Sequence, residues 1–169
     1  MTIWKFTPGD DGIYWDFCLE NNLIAMGWND VGHLSWFNSK KELKRKCDDA
    51  EYYTGTPRTS EVQLWDFKNI QEKDLIVSYA LKTIHGIGIV TGGYFYEGSK
   101  EKAIDPKRPR KYAHRYNVCW LAVPNYDISN DKKLLINKKG ALTYTGTIHR
   151  LTDSYTIEKI KQLLLNELF

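Results

Sequence analysis

The chain has 169 residues and a mass of 19.7 kDa, enough for one domain with its own core. Its 24 Lys plus Arg almost balance 21 Asp plus Glu and leave a formal charge of +3, which excludes a histone-like polycation and an acidic solvating chain. Six Trp, eleven Tyr and six Phe are more rings than a core of this size normally takes up, so some are expected to touch a ligand.

In chain order, residues 3–6 alternate and stop at Pro8-Gly9-Asp10-Asp11-Gly12, which predicts a strand and a turn. Apolar residues at 13, 14, 17 and 18 predict a short helix, and residues 23–28 (LIAMGW) a short strand. Ser39, with Glu42 three residues on, is a capping signal for a helix over 40–49. Thr59 or Ser60 is expected to cap a second helix up to Asn69.

The pattern then turns to sheet. Residues 75–81 and 84–96 read as strands joined at Lys82-Thr83, and Gly86, Gly88, Gly92 and Gly93 predict curvature, bulges or close backbone approach. Residues 97–116 form a polar, basic loop, followed by strands at 116–123, 133–136 and 145–151. Asp153 or Ser154 caps a final amphipathic helix to Leu168. The sum is one α+β domain over 1–169 with a small curved sheet or barrel flanked by helices.

Catalytic signatures are absent: there is no GxxxxGK[ST], GxSxG or HExxH. The histidines (His33, His85, His114, His149) lack ligand spacing, and no metal or cofactor is expected. Glu42-Leu43-Lys44 has the letters of a nuclease strand motif but falls in a predicted helix, where a charged helix face explains it. The expectation is a binding domain and not an enzyme. Cys18, Cys47 and Cys119 form neither a disulfide framework nor a metal knuckle, which fits a reducing, cytoplasmic setting. No apolar run is long enough to span a membrane, and the first residues do not read as a signal peptide.

Between Lys100 and Arg115 seven Lys/Arg face two acids, a local +5 that exceeds the charge of the whole chain. With Tyr112 and Tyr116 beside it, this loop suits phosphate contacts and base stacking. Lys107, Arg108, Arg110, Lys111 and Arg115 are the candidate phosphate ligands. Trp28, at a Gly-Trp-Asn-Asp turn, is poorly placed for deep burial, whereas Trp120 shares a strand face with Val118 and Ala122 and has core packing as an alternative.

The ordered set IWKF, LIAMGW, LWDFKNIQEKDLIVSYA, GIGIVTGGYFY and HRYNVCWLAVP resembles the PUA-like superfamily, in its EVE and YTH branches. In particular it is similar to the N-terminal specificity domains of archaeal McrB-type modification-dependent restriction proteins. The resemblance implies a β-barrel whose aromatic cage receives a flipped, methylated base. It places the cage walls at Trp28 and Trp120, with Trp15, Trp36, Tyr79 and Tyr94 as candidates for a third wall. Base-edge readout falls to Asp10, Asp11 and Asn29. The implied partner is double-stranded DNA with a modified base, the alternative being a modified base in RNA. A hexameric GTP-hydrolysing motor and a nuclease subunit are implied for the parent system only.

Overall fold

Two strand segments far apart in sequence make the first pairing. β1 (Ile3–Phe6) runs parallel to β3 (Leu75–Ala80), with Ile3 opposite Leu75 and Phe6 opposite Ser78. Asp74 pins their start: its carboxylate accepts from the Thr2 amide (2.6 Å), the Trp4 indole N–H (2.9 Å) and the Gln71 amide (3.1 Å). The Trp4 ring is thereby buried with its one donor satisfied. The structure, a computed structural model, describes residues 1–52, 59–99, 104 and 112–168.

β4 (Thr83–Val90) returns antiparallel to β3 through Leu81-Lys82, both at positive φ (47° and 65°), as in the turns that match the twist of a hairpin. β6 (His114–Ala122) pairs antiparallel with β4 and with β2 (Leu23–Met26), and β8 (Ile148–Arg150) pairs antiparallel with β1. The order is β2-β6-β4-β3-β1-β8, with β5 (Phe95–Tyr96) added to β6 and β7 (Tyr126–Asp127) added to β4. Register shifts at Ser78/Tyr79 and Ile87/Gly88 bend the sheet into a half-barrel. The expected α+β class with a curled sheet is what the chain adopts.

Two of the four glycines explain the curvature. A Cβ on Gly86 would lie 2.2 Å from Cη2 of Trp15, and one on Gly88 would lie 2.8 Å from Cε3 of Trp120. Both indoles pack onto bare backbone. The other two, Gly92 and Gly93, lie in the connection to β5.

Helices cover both faces. α1 (Trp15–Glu20), α2 (Lys40–Asp49) and α3 (Ser60–Lys68) bury Trp15, Cys18, Leu43, Cys47, Leu64 and Phe67 in one cluster with Trp4, Phe6, Met26 and Tyr116. α4 (Ser154–Leu168) sets Ile160 and Leu163 against Ile3, Val77, Ile87 and Leu151 in the other. The caps are as predicted at Ser39, which accepts from the Glu42 amide (3.2 Å), and at Asp153, which accepts from the Thr156 amide (2.9 Å).

Several elements differ from the sequence reading. β6 starts at His114, inside the basic loop expected over 97–116, and the strand expected over 23–28 ends at Met26. Residues 133–136 are not a strand: Asp131 accepts from the Lys133 and Leu134 amides (3.1 and 3.2 Å) and turns the chain there. The strand expected over 84–96 ends at Val90, and Phe95–Tyr96 crosses to pair with β6. The strand expected over 145–151 shortens to Ile148–Arg150.

Candidate nucleic-acid interface

β2 ends with Met26 opposite His114, and after Gly27 the chain enters Trp28 in the left-handed conformation (φ 60°, ψ 44°). Bulky side chains rarely take this geometry, so the surroundings must hold it. The fully buried His114 ring lies 3.3 Å from the Trp28 carbonyl and 2.8 Å from the Tyr94 hydroxyl, whose oxygen is 3.2 Å from the Leu34 amide. One assignment satisfies all three contacts. Leu34 N–H donates to Tyr94 Oη, Tyr94 O–H donates to His114 Nδ1, and His114 Nε2–H donates to the Trp28 carbonyl. The relay needs a neutral imidazole, and burial pushes the His114 pKa down to about 4. Burial likewise raises the pKa of the Tyr94 hydroxyl, which keeps it a donor.

Asn29 follows directly. Its Oδ1 accepts from the Ala113 amide (3.0 Å) and its carbonyl accepts from the Tyr96 hydroxyl (3.1 Å). Because a backbone N–H faces Oδ1, the amide cannot be turned round without placing donor against donor. The Nδ2 group is buried and has no hydrogen-bond partner among the described residues. Leaving such a donor unmet costs about 1–3 kcal/mol. Rings surround this corner: His33 lies 6.0 Å from Tyr96 and 4.9 Å from Tyr94, and Tyr96 lies 5.3 Å from His114. Tyr112, next to Ala113 and at φ 65°, meets Tyr14 edge-on at 4.7 Å.

The other residues expected at the site are distributed differently. Leu23 lies opposite Asn117, so Trp120 sits beyond one end of the β2·β6 ribbon and Trp28 beyond the other. At ~3.3 Å per residue the ribbon separates them by roughly 25 Å, whereas a stacked ring lies within about 7 Å of its wall. Trp28 and Trp120 therefore do not wall one cage. The Trp120 indole donates to the Cys18 carbonyl (3.0 Å) and meets Trp15 edge-on at 4.8 Å. Trp15 is itself core. Tyr94 supports Trp28 through the relay, and Trp36 lies near His33 but is 70% exposed.

Asp10, Asp11 and Tyr79 line a different cleft of about 370 Å³, with Lys5, Thr7 and residues 143–147. It shares no lining residue with the Trp28 corner. Of the three base-edge candidates, only Asn29 stands beside Trp28. Arg115 is 4% exposed, donates from Nε to the Tyr112 carbonyl (3.1 Å) and lies 5.9 Å from the Phe17 ring centre. It braces the start of β6 and is not placed to grip a phosphate at the surface. Lys107, Arg108, Arg110 and Lys111 lie outside the described residues.

Sequence reasoning missed Tyr96, His114 and His33. The Tyr94-Phe95-Tyr96 alternation puts two tyrosines on one strand face, a legible signal, but their partner His114 is a matter of pairing. Among the described residues no group of three or more His, Cys, Asp and Glu side chains could hold a metal ion. Nor is any helix among them long and apolar enough to cross a membrane.

A half-barrel sheet with helices on both faces is a YTH-like fold. Solved structures agree. The chain is similar to the YTH domain of Zygosaccharomyces rouxii MRB1 in complex with N6-methyladenosine RNA (TM-score 0.52, 9% identity, 96% of this chain and 86% of that one). It is similar to the Pho92 YTH domain in complex with m6A (TM-score 0.54, 11% identity, 96% and 83% covered). It is also similar to the Toxoplasma CPSF4 YTH domain in complex with a 7-mer m6A-modified RNA (TM-score 0.53, 8% identity, 96% and 89% covered). At these identities the likeness is one of fold. By sequence, residues 4–152 match the family described as a domain of unknown function (DUF8426), and the chain belongs to that family. No curated protein matches the chain by sequence.

Proposed function

We propose that residues 1–169 form one binding module, without cofactor or catalysis, that reads a modified base in nucleic acid, and that the nucleic acid is RNA. The observation that carries this reading is the buried Nδ2 donor of Asn29, unpartnered among the described residues, on the residue that follows Trp28 and whose carbonyl accepts from Tyr96. An acceptor nitrogen on a base edge would satisfy that donor. Trp28 stays in the reading as one stacking wall, and Tyr96 and Tyr112 replace Trp120 as candidates for the other. Lys107, Arg108, Arg110 and Lys111 are proposed to hold phosphates, a contribution that orients the strand without reading sequence.

RNA is favoured because the three structural neighbours were solved with m6A or m6A-modified RNA. Duplex DNA, a restriction system and an attached motor gain no support from them. A methyl group buried in the pocket adds about 0.8 kcal/mol, only about fourfold, so a larger preference requires a fitted pocket and a satisfied N–H.

The test is equilibrium binding of matched labelled strands: single-stranded RNA with one N6-methyladenine, the same RNA unmodified, and duplex DNA with one modified base. At least a tenfold preference for the modified RNA is expected. Equal affinity for modified and unmodified strands overturns the reading, and a preference confined to the duplex DNA moves it to DNA.

A further inference from the structure

One surface ring remains unused by the proposed pocket. Trp36 is 70% exposed, an uncommon state for the largest apolar side chain, yet it is not loose. A Cβ on Gly32 (φ +78°) would lie 2.7 Å from Cζ3 of Trp36, so the indole rests on bare backbone. The His33 ring lies beside it at 6.0 Å and 31°. His33 is fixed in turn: its Nδ1 accepts from the Ser35 amide (3.3 Å) and lies 2.7 Å from the Ser35 hydroxyl. From His33 the rings continue to Tyr96, whose hydroxyl donates to the carbonyl of Asn29. A line of rings thus leads from the exposed indole to the residue after Trp28.

Positive charge follows closely in the chain. Three residues after Trp36, Ser39 starts α2, whose Lys40, Lys41, Arg45 and Lys46 are exposed. The same helix ends in the exposed Asp48 and Asp49, so the excess of positive charge lies in its first two turns. An exposed ring with cations nearby is the combination that holds single strands: bases stack without sequence preference and phosphates follow the cations. A base inside an intact duplex has both faces covered by its stacked neighbours and cannot lie on such a ring.

We propose that Trp36, backed by His33 and followed in the chain by the basic first turns of α2, is a second stacking platform that takes the nucleotide next to the base held at Trp28. The ligand is then a single-stranded segment of at least two nucleotides. The proposal rests on the base-reading function of the Trp28 corner and adds a contact blind to the modification.

The experiment measures binding of the N6-methyladenine and unmodified single-stranded RNAs, and of N6-methyladenosine as a free nucleoside, to the wild type and to Trp36→Ala, Trp36→Phe and Trp28→Ala. Loss of one stacked base weakens binding by about five- to a hundredfold. Trp36→Ala is expected to lose that much on both RNAs equally, keep the ratio between them, and bind the nucleoside as the wild type does. Trp36→Phe should recover most of the loss. Unchanged affinity of Trp36→Ala for both RNAs overturns the platform while leaving the reader intact, provided Trp28→Ala removes the preference. Loss of nucleoside binding in Trp36→Ala also overturns it, because the ring is then a wall of the pocket itself. If the wild type shows no preference but Trp36→Ala still weakens both RNAs, the reader fails and the platform stands as a general single-strand contact. Absence of RNA binding by the wild type overturns both.

Discussion

Trp28 and Trp120 lie beyond opposite ends of one antiparallel ribbon; both are half-buried against the same core cluster, and they differ in how their polar groups and backbone are held. At the Trp120 end the half-buried indole has a carbonyl for its N–H, an edge-on partner in Trp15 and a glycine strand beneath it. At the Trp28 end the effort goes into the backbone. A buried relay from Leu34 through Tyr94 and His114 holds Trp28 in a left-handed conformation, while the neighbouring Asn29 keeps an unmet donor among the described residues. Strain and an unpaired polar group are tolerated where a ligand can repay them. A ring with every need already met has little left to offer a ligand.

Truncating each of the two rings in turn is the sharpest way to break this contrast. Trp120→Ala removes a half-buried ring together with its hydrogen bond to Cys18 and should destabilise the fold in denaturant titration by about 2 kcal/mol or more, short of the full cost of a buried ring. Trp28→Ala should leave most of the stability in place and remove the preference for a modified base in the binding assay. A Trp120→Ala protein that stays fully stable and loses the preference would reverse the assignment.

The relay sharpens the comparison through pH. The His114 pKa is lowered from 6.5 to about 4 in the fold, so between those values the unfolded chain binds more protons than the native one. The stability contribution is therefore complete above about pH 6.5, falls as pH drops and is gone near pH 4. It amounts to about 3 kcal/mol by linkage. Urea titrations from pH 7.5 to 4 should show a decline that His114→Gln flattens. An identical decline in that variant removes His114 from the relay.

The smallest effect concerns charge. Charge reversal at Arg108, Arg110 and Lys111 should weaken RNA binding and reduce its salt dependence. Arg115→Gln, at a side chain tied to Tyr112 and covered by Phe17, should leave that slope unchanged. Equal slopes for the two variants would return Arg115 to the interface.

Much of the architecture was legible along the chain. Helix caps at Ser39 and Asp153 are local hydrogen bonds between residues three apart, so the letters carry them. The alternation in 3–6 and 75–81 reports two differently packed faces, and both faces are filled by the separate clusters seen in the fold. The strand expected at 133–136 failed because Asp131 offers those amides a turn, a local competitor to pairing that apolar letters do not reveal.

Half of the candidate corner was readable and half was not. Trp28 and Asn29 could be singled out because a tryptophan at a Gly-Trp-Asn-Asp turn has no obvious core to enter. Tyr96 and His114 could not, because they reach that turn only through pairing between segments dozens of residues apart.

The sequence by itself determined the class of the molecule, its helix ends, its aromatic excess and the concentration of positive charge on the loop around 100–115. Those follow from composition and from periodicities that act over a few residues. Tertiary structure decided which rings stand together, because register along β6 sends Trp120 to Trp15 and brings His114, Tyr96 and Asn29 to Trp28. Only a folded sheet can leave a buried amide donor unmet among the described residues at one end and every indole need satisfied at the other.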